Sequence, residues 1–171
     1  DWLTFEMCIG GKRIKLPTTI NELNSLFGLV LAPEKEEITV RSRGVAYADF
    51  LDKDGNVVLG AELSNRTLNE ELLKNCAIDE LCFNWEEIKN TLNVPVRFPG
   101  GLCLGEPVNI KYLIKLWGEP ETIRLISYSP SDNEIITKFH WYEDGTTNNI
   151  ELIVKNGVLV AADYNGGMVL P

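Results

Sequence analysis

Gly10-Gly11-Lys12-Arg13-Ile14-Lys15-Leu16-Pro17-Thr18-Thr19-Ile20-Asn21-Glu22-Leu23-Asn24-Ser25-Leu26-Phe27-Gly28 is echoed 90 residues later. There the chain reads Gly100-Gly101-Leu102-Cys103-Leu104-Gly105-Glu106-Pro107-Val108-Asn109-Ile110-Lys111-Tyr112-Leu113-Ile114-Lys115-Leu116-Trp117-Gly118. The two stretches share seven identities in 19 positions, without a gap. Chance pairing at ordinary residue frequencies gives about one. Phe27 falls on Trp117, and Asp54-Gly55 falls on Asp144-Gly145 at the same offset. The chain therefore reads as an old internal duplication.

Each copy predicts one short helix. Thr19 and Asn109 stand at equivalent positions and are good N-caps. Glu22, three residues after Thr19, completes a capping box. Ile20, Leu23, Leu26 and Phe27 make an apolar stripe at helical spacing, as do Ile110, Leu113, Leu116 and Trp117. Gly28 and Gly118 occupy the place of a left-handed C-cap, and Pro120 blocks continuation. A helix of two turns is unstable alone, so its stripe must dock on something.

The runs that follow predict a sheet. In the second copy these are Thr122–Ser127, Glu134–Tyr142, Asn148–Lys155 and Val158–Tyr164. Asp144-Gly145 and Asn156-Gly157 are hairpin turns between them. Ile150, Leu152 and Val154 alternate with Glu151, Ile153 and Lys155, one face buried and one wetter. The first copy repeats the plan with Glu37–Ser42, Val45–Leu51, Val57–Leu63 and Cys76–Phe83. Its insertion, Ser64–Asn75, carries a second capping-box pattern at Thr67–Glu70 and reads as a helix or an extended crossover, the crossover being preferred, and Trp85–Asn93 reads as a short helical link. The expected fold class is α+β: two tandem units, 1–86 and 87–171, each a short helix on a four-stranded antiparallel sheet. No Pro/Gly/Ser-rich linker separates them, so they are expected to pack together.

Composition narrows the function. With 16 basic and 25 acidic residues the net charge is −9, and no basic block exists, which argues against nucleic acid as a partner. No apolar run reaches the length of a membrane span. The chain starts at Asp1, and a leader removed upstream is the expectation. Membrane attachment is expected only through a lipid anchor on such a leader.

Cys8, Cys76, Cys82 and Cys103 show no C-x-x-C spacing, and one histidine cannot build a His-rich site, so no metal and no cofactor are expected. Cys76 and Cys82, six apart on one strand, cannot bridge each other. The four thiols read as small buried hydrophobes, with other disulfide pairings left open. Asp52-Lys53-Asp54-Gly55-Asn56 has the glycine at the wrong place for a calcium loop and reads as a turn. Asn65-Arg66-Thr67 matches the glycosylation triplet. No nucleophile elbow accompanies His140, and Glu143 with Asp144 lies in a turn, so no catalytic residues are expected and the chain reads as a non-enzyme. The open sheet face, with mixed charge and aromatics, is the expected binding surface; His140, Trp141, Tyr142 and Ile153 are its candidate residues.

The order of short helix, glycine and antiparallel meander, in tandem, resembles the β-lactamase inhibitory protein (BLIP-like) fold. Gly105-Glu106-Pro107 through Leu113, Leu116, Trp117 and Gly118-Glu119-Pro120 is also similar to small lipoproteins of the outer-membrane barrel-assembly machinery. Val96–Gly105, Leu16-Pro17 and Asn75-Cys76-Ala77-Ile78-Asp79 resemble uncharacterised lipoproteins of Gram-positive gut bacteria. Gly28-Leu29-Val30 lacks the Gly-x-Pro of the second copy. The resemblance implies an exported or cell-surface protein that binds a protein or peptide. An inhibitor of an extracellular enzyme is the alternative. No binding residue of the inhibitor carries over.

Overall fold

The computed structural model describes residues 1–166. The last five positions of the expected second unit, 167–171, lie outside the described residues. Among the described residues the fold is mixed α+β, 46% strand, with three α-helices. In chain order the strands are β1 (Glu6–Ile9), β2 (Lys12–Lys15), β3 (Thr18–Thr19), β4 (Val30–Leu31), β5 (Thr39–Val40), β6 (Val45–Leu51), β7 (Val57–Ser64) and β8 (Glu71–Leu72). They continue as β9 (Ala77–Asn84), β10 (Val96–Phe98), β11 (Leu102–Cys103), β12 (Thr122–Ser129), β13 (Glu134–Tyr142), β14 (Asn149–Lys155) and β15 (Val158–Asn165). The helices are α1 (Ile20–Phe27), α2 (Trp85–Asn90) and α3 (Ile110–Trp117).

Both stripe helices form where the caps predict. The Thr19 side chain accepts from the Glu22 amide, and Asn109 accepts from Tyr112. The Glu22 carboxylate does not reach back to Thr19. It accepts instead from the Thr18 hydroxyl at 2.6 Å. Gly28 closes α1 in the left-handed region (φ 69°, ψ 17°). Gly118 has a positive φ but an extended ψ of 178°, so the left-handed cap expected there does not form. Its carbonyl accepts from Trp141 Nε1 at 3.0 Å.

One large antiparallel sheet dominates, in the order β12-β13-β14-β15-β9-β7-β6-β4, with β3 also on β9. The turn between β14 and β15 is Asn156 and Gly157, both at positive φ, as a tight hairpin turn requires. Two expectations about the first copy are corrected. The run Glu37–Ser42 does not join its meander: only Thr39–Val40 is strand, paired to β8 in a separate ribbon. The edge place is taken by β4 on β6. The reason lies in the crossover 64–76, whose Asn65 amide donates to the carbonyls of Val40, Arg41 and Asn69 and holds that run away from the sheet. The two copies also do not form separate sheets. β15 hydrogen-bonds to β9 from Ala161–Asn84 to Asn165–Glu80.

A second seam is made by the Gly-Gly turns. β1 and β2 flank Gly10-Gly11, and β10 and β11 flank Gly100-Gly101. β1 then pairs antiparallel with β10, giving a small sheet ordered β11-β10-β1-β2. It lies on the helix-bearing face of the large sheet. Phe98 of β10 meets Phe83 of β9 edge-on at 5.5 Å and Tyr164 of β15 at 6.3 Å. Trp117 of α3 meets Trp141 of β13 edge-on at 5.3 Å. Gly100 is held close here, since a Cβ would stand 2.9 Å from the Trp117 ring.

Leu23 and Leu113 are the deepest residues of their helices, at 0% and 1% exposure, whereas Leu116, expected in the docked stripe, is 45% exposed. Leu23→Ala and Leu113→Ala should each lower the unfolding free energy by about 2–5 kcal/mol in urea titration. Losses under about 1 kcal/mol in both would mean that neither helix is held by its ridge.

Candidate functional site

The face of the large sheet turned away from the helices is built by strand alternation and register. Five pairings align one row as Tyr142, Asn149, Asn165, Glu80, Glu62 and Tyr47. The next row is His140, Glu151, Asp163, Cys82, Gly60 and Asp49. Beyond it Lys138, Ile153, Ala161 and Asn84 are aligned. Nearly all these side chains are exposed or half-buried; Asn165 is the exception at 5% exposure.

The four candidate residues divide by alternation. His140, Tyr142 and Ile153 lie on this outer face, with the His140 and Tyr142 rings 5.8 Å apart. Trp141 does not. It points to the opposite face, is 3% exposed, and is spent on Trp117 and the Gly118 carbonyl. The physical reason is period two: a residue between two outward neighbours must face inward.

Sequence reading missed the centre of the face. Glu80, Cys82 and Asp163 offer ligand atoms that all lie within 4.8 Å of one another. Cys82 Sγ is 3.6 Å from Glu80 Oε1. Asn165 Nδ2 donates to Glu80 Oε2 at 2.9 Å, while its Oδ1 is buried without a partner. The Glu80-Leu81-Cys82 alternation on one strand was a visible signal. That Asp163 stands opposite Cys82 follows only from the β9–β15 register.

Burial and crowding of like charge govern the chemistry here. Burial pushes the Cys82 thiol up, and the neighbouring Asp163 and Glu80 push it further. Asp163 and Glu80 are themselves raised, first by burial. Glu151 adds to the effect on Asp163 while Lys138 opposes it; Lys138 pairs with Glu151 at 2.6 Å. At the far end the Tyr47 phenol is raised by its hydrogen bond to Glu62. A thiol shifted this way is a poor nucleophile.

Other sequence features resolve as structure. Asp52 accepts from the amides of Asp54 and Asn56 at 2.9 Å each, making the 52–56 segment a hairpin turn. Asn65 of the glycosylation triplet is 2% exposed, with its amide spent on backbone carbonyls and Thr67. All four cysteines are free thiols: Cys76 and Cys103 are buried, whereas Cys8 and Cys82 are half-buried. Asp79, an extra residue at the bulge between Glu62 and Leu63, is fully buried and ion-paired to Arg66. A surface hollow of about 310 Å³ between the 52–56 turn and α2 is lined by Asn56, Val57, Glu86, Glu87, Asn90 and Thr91, none of them in the three aligned rows.

Set against known proteins, the chain matches no family model, no curated protein and no solved structure.

The raised Asp163 makes a signed prediction. Its folded-state proton is held more tightly than in the unfolded chain, so ionising it costs stability. That cost is absent below the ordinary carboxylate range and grows as pH rises through the folded value. In chelator-treated protein, Asp163→Asn should raise the melting temperature at pH 8 by about 2–4 °C, on the order of 1 kcal/mol. The gain should vanish near about pH 3, below the ordinary carboxylate value. An equal gain at both pH values would assign the effect to packing.

Proposed function

We propose that this chain is a non-enzymatic, exported or cell-surface binding module, made of two tandem BLIP-like units, that holds a protein or peptide partner on the outer face of its large sheet. The observation that carries the reading is the accessibility of that face. The large sheet presents Tyr47 from β6, His140 and Tyr142 from β13 and Ile153 from β14 in a broad, half-buried to exposed plane, while the opposite face is buried under helices and the small sheet. Apolar and aromatic groups interleaved with charge are what protein-binding surfaces use.

The tandem reading is supported by α1 and α3, each of eight residues and starting 90 residues apart at Ile20 and Ile110. The resemblance to BLIP-like proteins and to gut-bacterial lipoproteins supports export, with a lipid anchor or secretion as the route to the surface. The charge of the face sets the chemistry of the partner. Asp49, Glu62, Glu80, Glu151 and Asp163 crowd its middle, while Arg124, Lys138 and Lys155 sit toward the β12 end. The partner that fits is a basic segment with apolar anchors.

A specific feature favours an extended segment. β12 pairs on one side only, is the sheet's long edge, and exposes Ile123, Leu125, Ile126 and Tyr128. Such an edge is a template for an added strand. The alternative reading is a secreted inhibitor of an extracellular enzyme, a binding function that would show itself by slowing that enzyme.

A displayed peptide library selected on the chain should enrich basic extended peptides. Their affinity should fall at least about tenfold, or 1.4 kcal/mol, in the triple variant His140→Ala, Tyr142→Ala, Ile153→Glu. Undiminished affinity in that variant would remove the outer face from the proposal, and loss through Leu125→Lys alone would move the site to the β12 edge.

A further inference from the structure

The outer face has at its centre a donor set that partner binding does not account for. Glu80 and Cys82 are alternate residues of β9, and Asp163 stands directly opposite Cys82 on β15. Their ligand atoms lie within 4.8 Å of one another. On the other side of Cys82 the sheet neighbour is Gly60, so no side chain covers the thiol from β7; a Cβ there would lie 3.6 Å from Cys82 Cβ.

We propose that Glu80, Cys82 and Asp163, with the amide oxygen of Asn165, form a binding site for a thiophilic divalent cation of the zinc class. Three features carry this. The first is donor chemistry. One thiol with two carboxylates suits zinc, whereas magnesium and calcium take oxygen shells and do not select sulfur.

The second is spacing. Zinc bonds of about 2.3 Å to sulfur and about 2.0 Å to oxygen at a tetrahedral angle place S and O about 3.5 Å apart. The Cys82 Sγ to Glu80 Oε1 distance is 3.6 Å. The pair, joined here by a hydrogen bond from the thiol to the carboxylate, has the separation that a shared ion needs.

The third is the orphaned acceptor. Asn165 is 95% buried by its 5% exposure, and its Oδ1 has no hydrogen-bond partner. Its other terminus is tied to Glu80 Oε2, which fixes the amide against the cluster. A buried carbonyl oxygen without a donor is costly, and a cation beside it would satisfy that oxygen and the carboxylates together. Asp79, fully buried on the same strand, is not a member of the cluster, and its Oδ1 is paired with Arg66.

The electrostatics agree with the geometry. All three groups resist ionisation, first through burial and then through neighbouring acids: Asp163 and Glu80 raise Cys82, Asp163 and Glu62 raise Glu80, and Glu151 raises Asp163, while hydrogen bonds from the Cys82 thiol lower both carboxyls. A dication reverses both effects, so uptake must expel protons and weaken as pH falls. The charged or titratable groups around the cluster are Glu62, Asp49, Glu151, Lys138, His140 and Tyr47. Only Lys138 is a fixed cation, and it is paired with Glu151. This inference does not depend on a protein partner.

The test uses the full chain, stripped with chelator. Titration with Co²⁺ should produce a thiolate-to-metal charge-transfer band that saturates at one equivalent, and Zn²⁺ should displace it. Cys82→Ser should abolish the band, Asp163→Asn should weaken binding by roughly 100-fold, and Cys8→Ser, the other half-buried thiol, should change nothing. Absence of the band in the wild type, or its survival in Cys82→Ser, overturns the proposal. A measurement on the wild type alone guards against a misfolded variant. Zn²⁺ should slow alkylation of Cys82 and not of Cys8, read by peptide mass mapping, and equal rates with and without Zn²⁺ overturn the proposal as well.

Discussion

Backbone pairing between β9 and β15 is the constraint on which the rest depends. Five residue pairs, from Ala161–Asn84 to Asn165–Glu80, join the strands before residue 85 and those after residue 121 into one sheet. An unpaired central edge here would leave a row of buried N–H and C=O groups, so the seam is obligatory once the two copies are apposed. It also sets the chemistry. It brings Asp163 opposite Cys82 and Asn165 opposite Glu80, residues some eighty positions apart in the chain. A register slip of one residue would send every one of these side chains to the other face.

The two faces of that sheet serve different ends. The inner face is closed by α1, α3 and the small β11-β10-β1-β2 sheet, with Phe83, Phe98 and Tyr164 forming the aromatic junction. Burying a large apolar side chain there is worth about 1.5–3 kcal/mol. The outer face is left open, and its acids repel one another under partial burial, as the raised Glu80 and Asp163 show. Groups kept in such a state are a common mark of sites that meet a ligand.

The calcium-like run 52–56 and the Asn65 triplet teach a complementary lesson. Both look like sites as strings of letters. Asp52 uses its carboxylate on the amides of its own turn, and Asn65 spends its amide on the carbonyls of Val40 and Arg41 and on that of Asn69 in the crossover. Local hydrogen bonding of Asp and Asn side chains explains both without a ligand.

Sequence alone determined the helices and most strands, because their signals are local. The Thr19 and Asn109 caps, the stripes through Leu23 and Leu113, and the Asn156-Gly157 turn act over a few residues. The alternation in β13 and β14 was equally legible, but not which parity faced out, so Trp141 was placed on the wrong side. The displacement of 37–42 from the sheet, the pairing of β1 with β10, and the Glu80–Cys82–Asp163 cluster were decided by tertiary structure. Each needs a register between distant strands, and register is chosen by the packing of the whole sheet against its core, which no short window of residues contains.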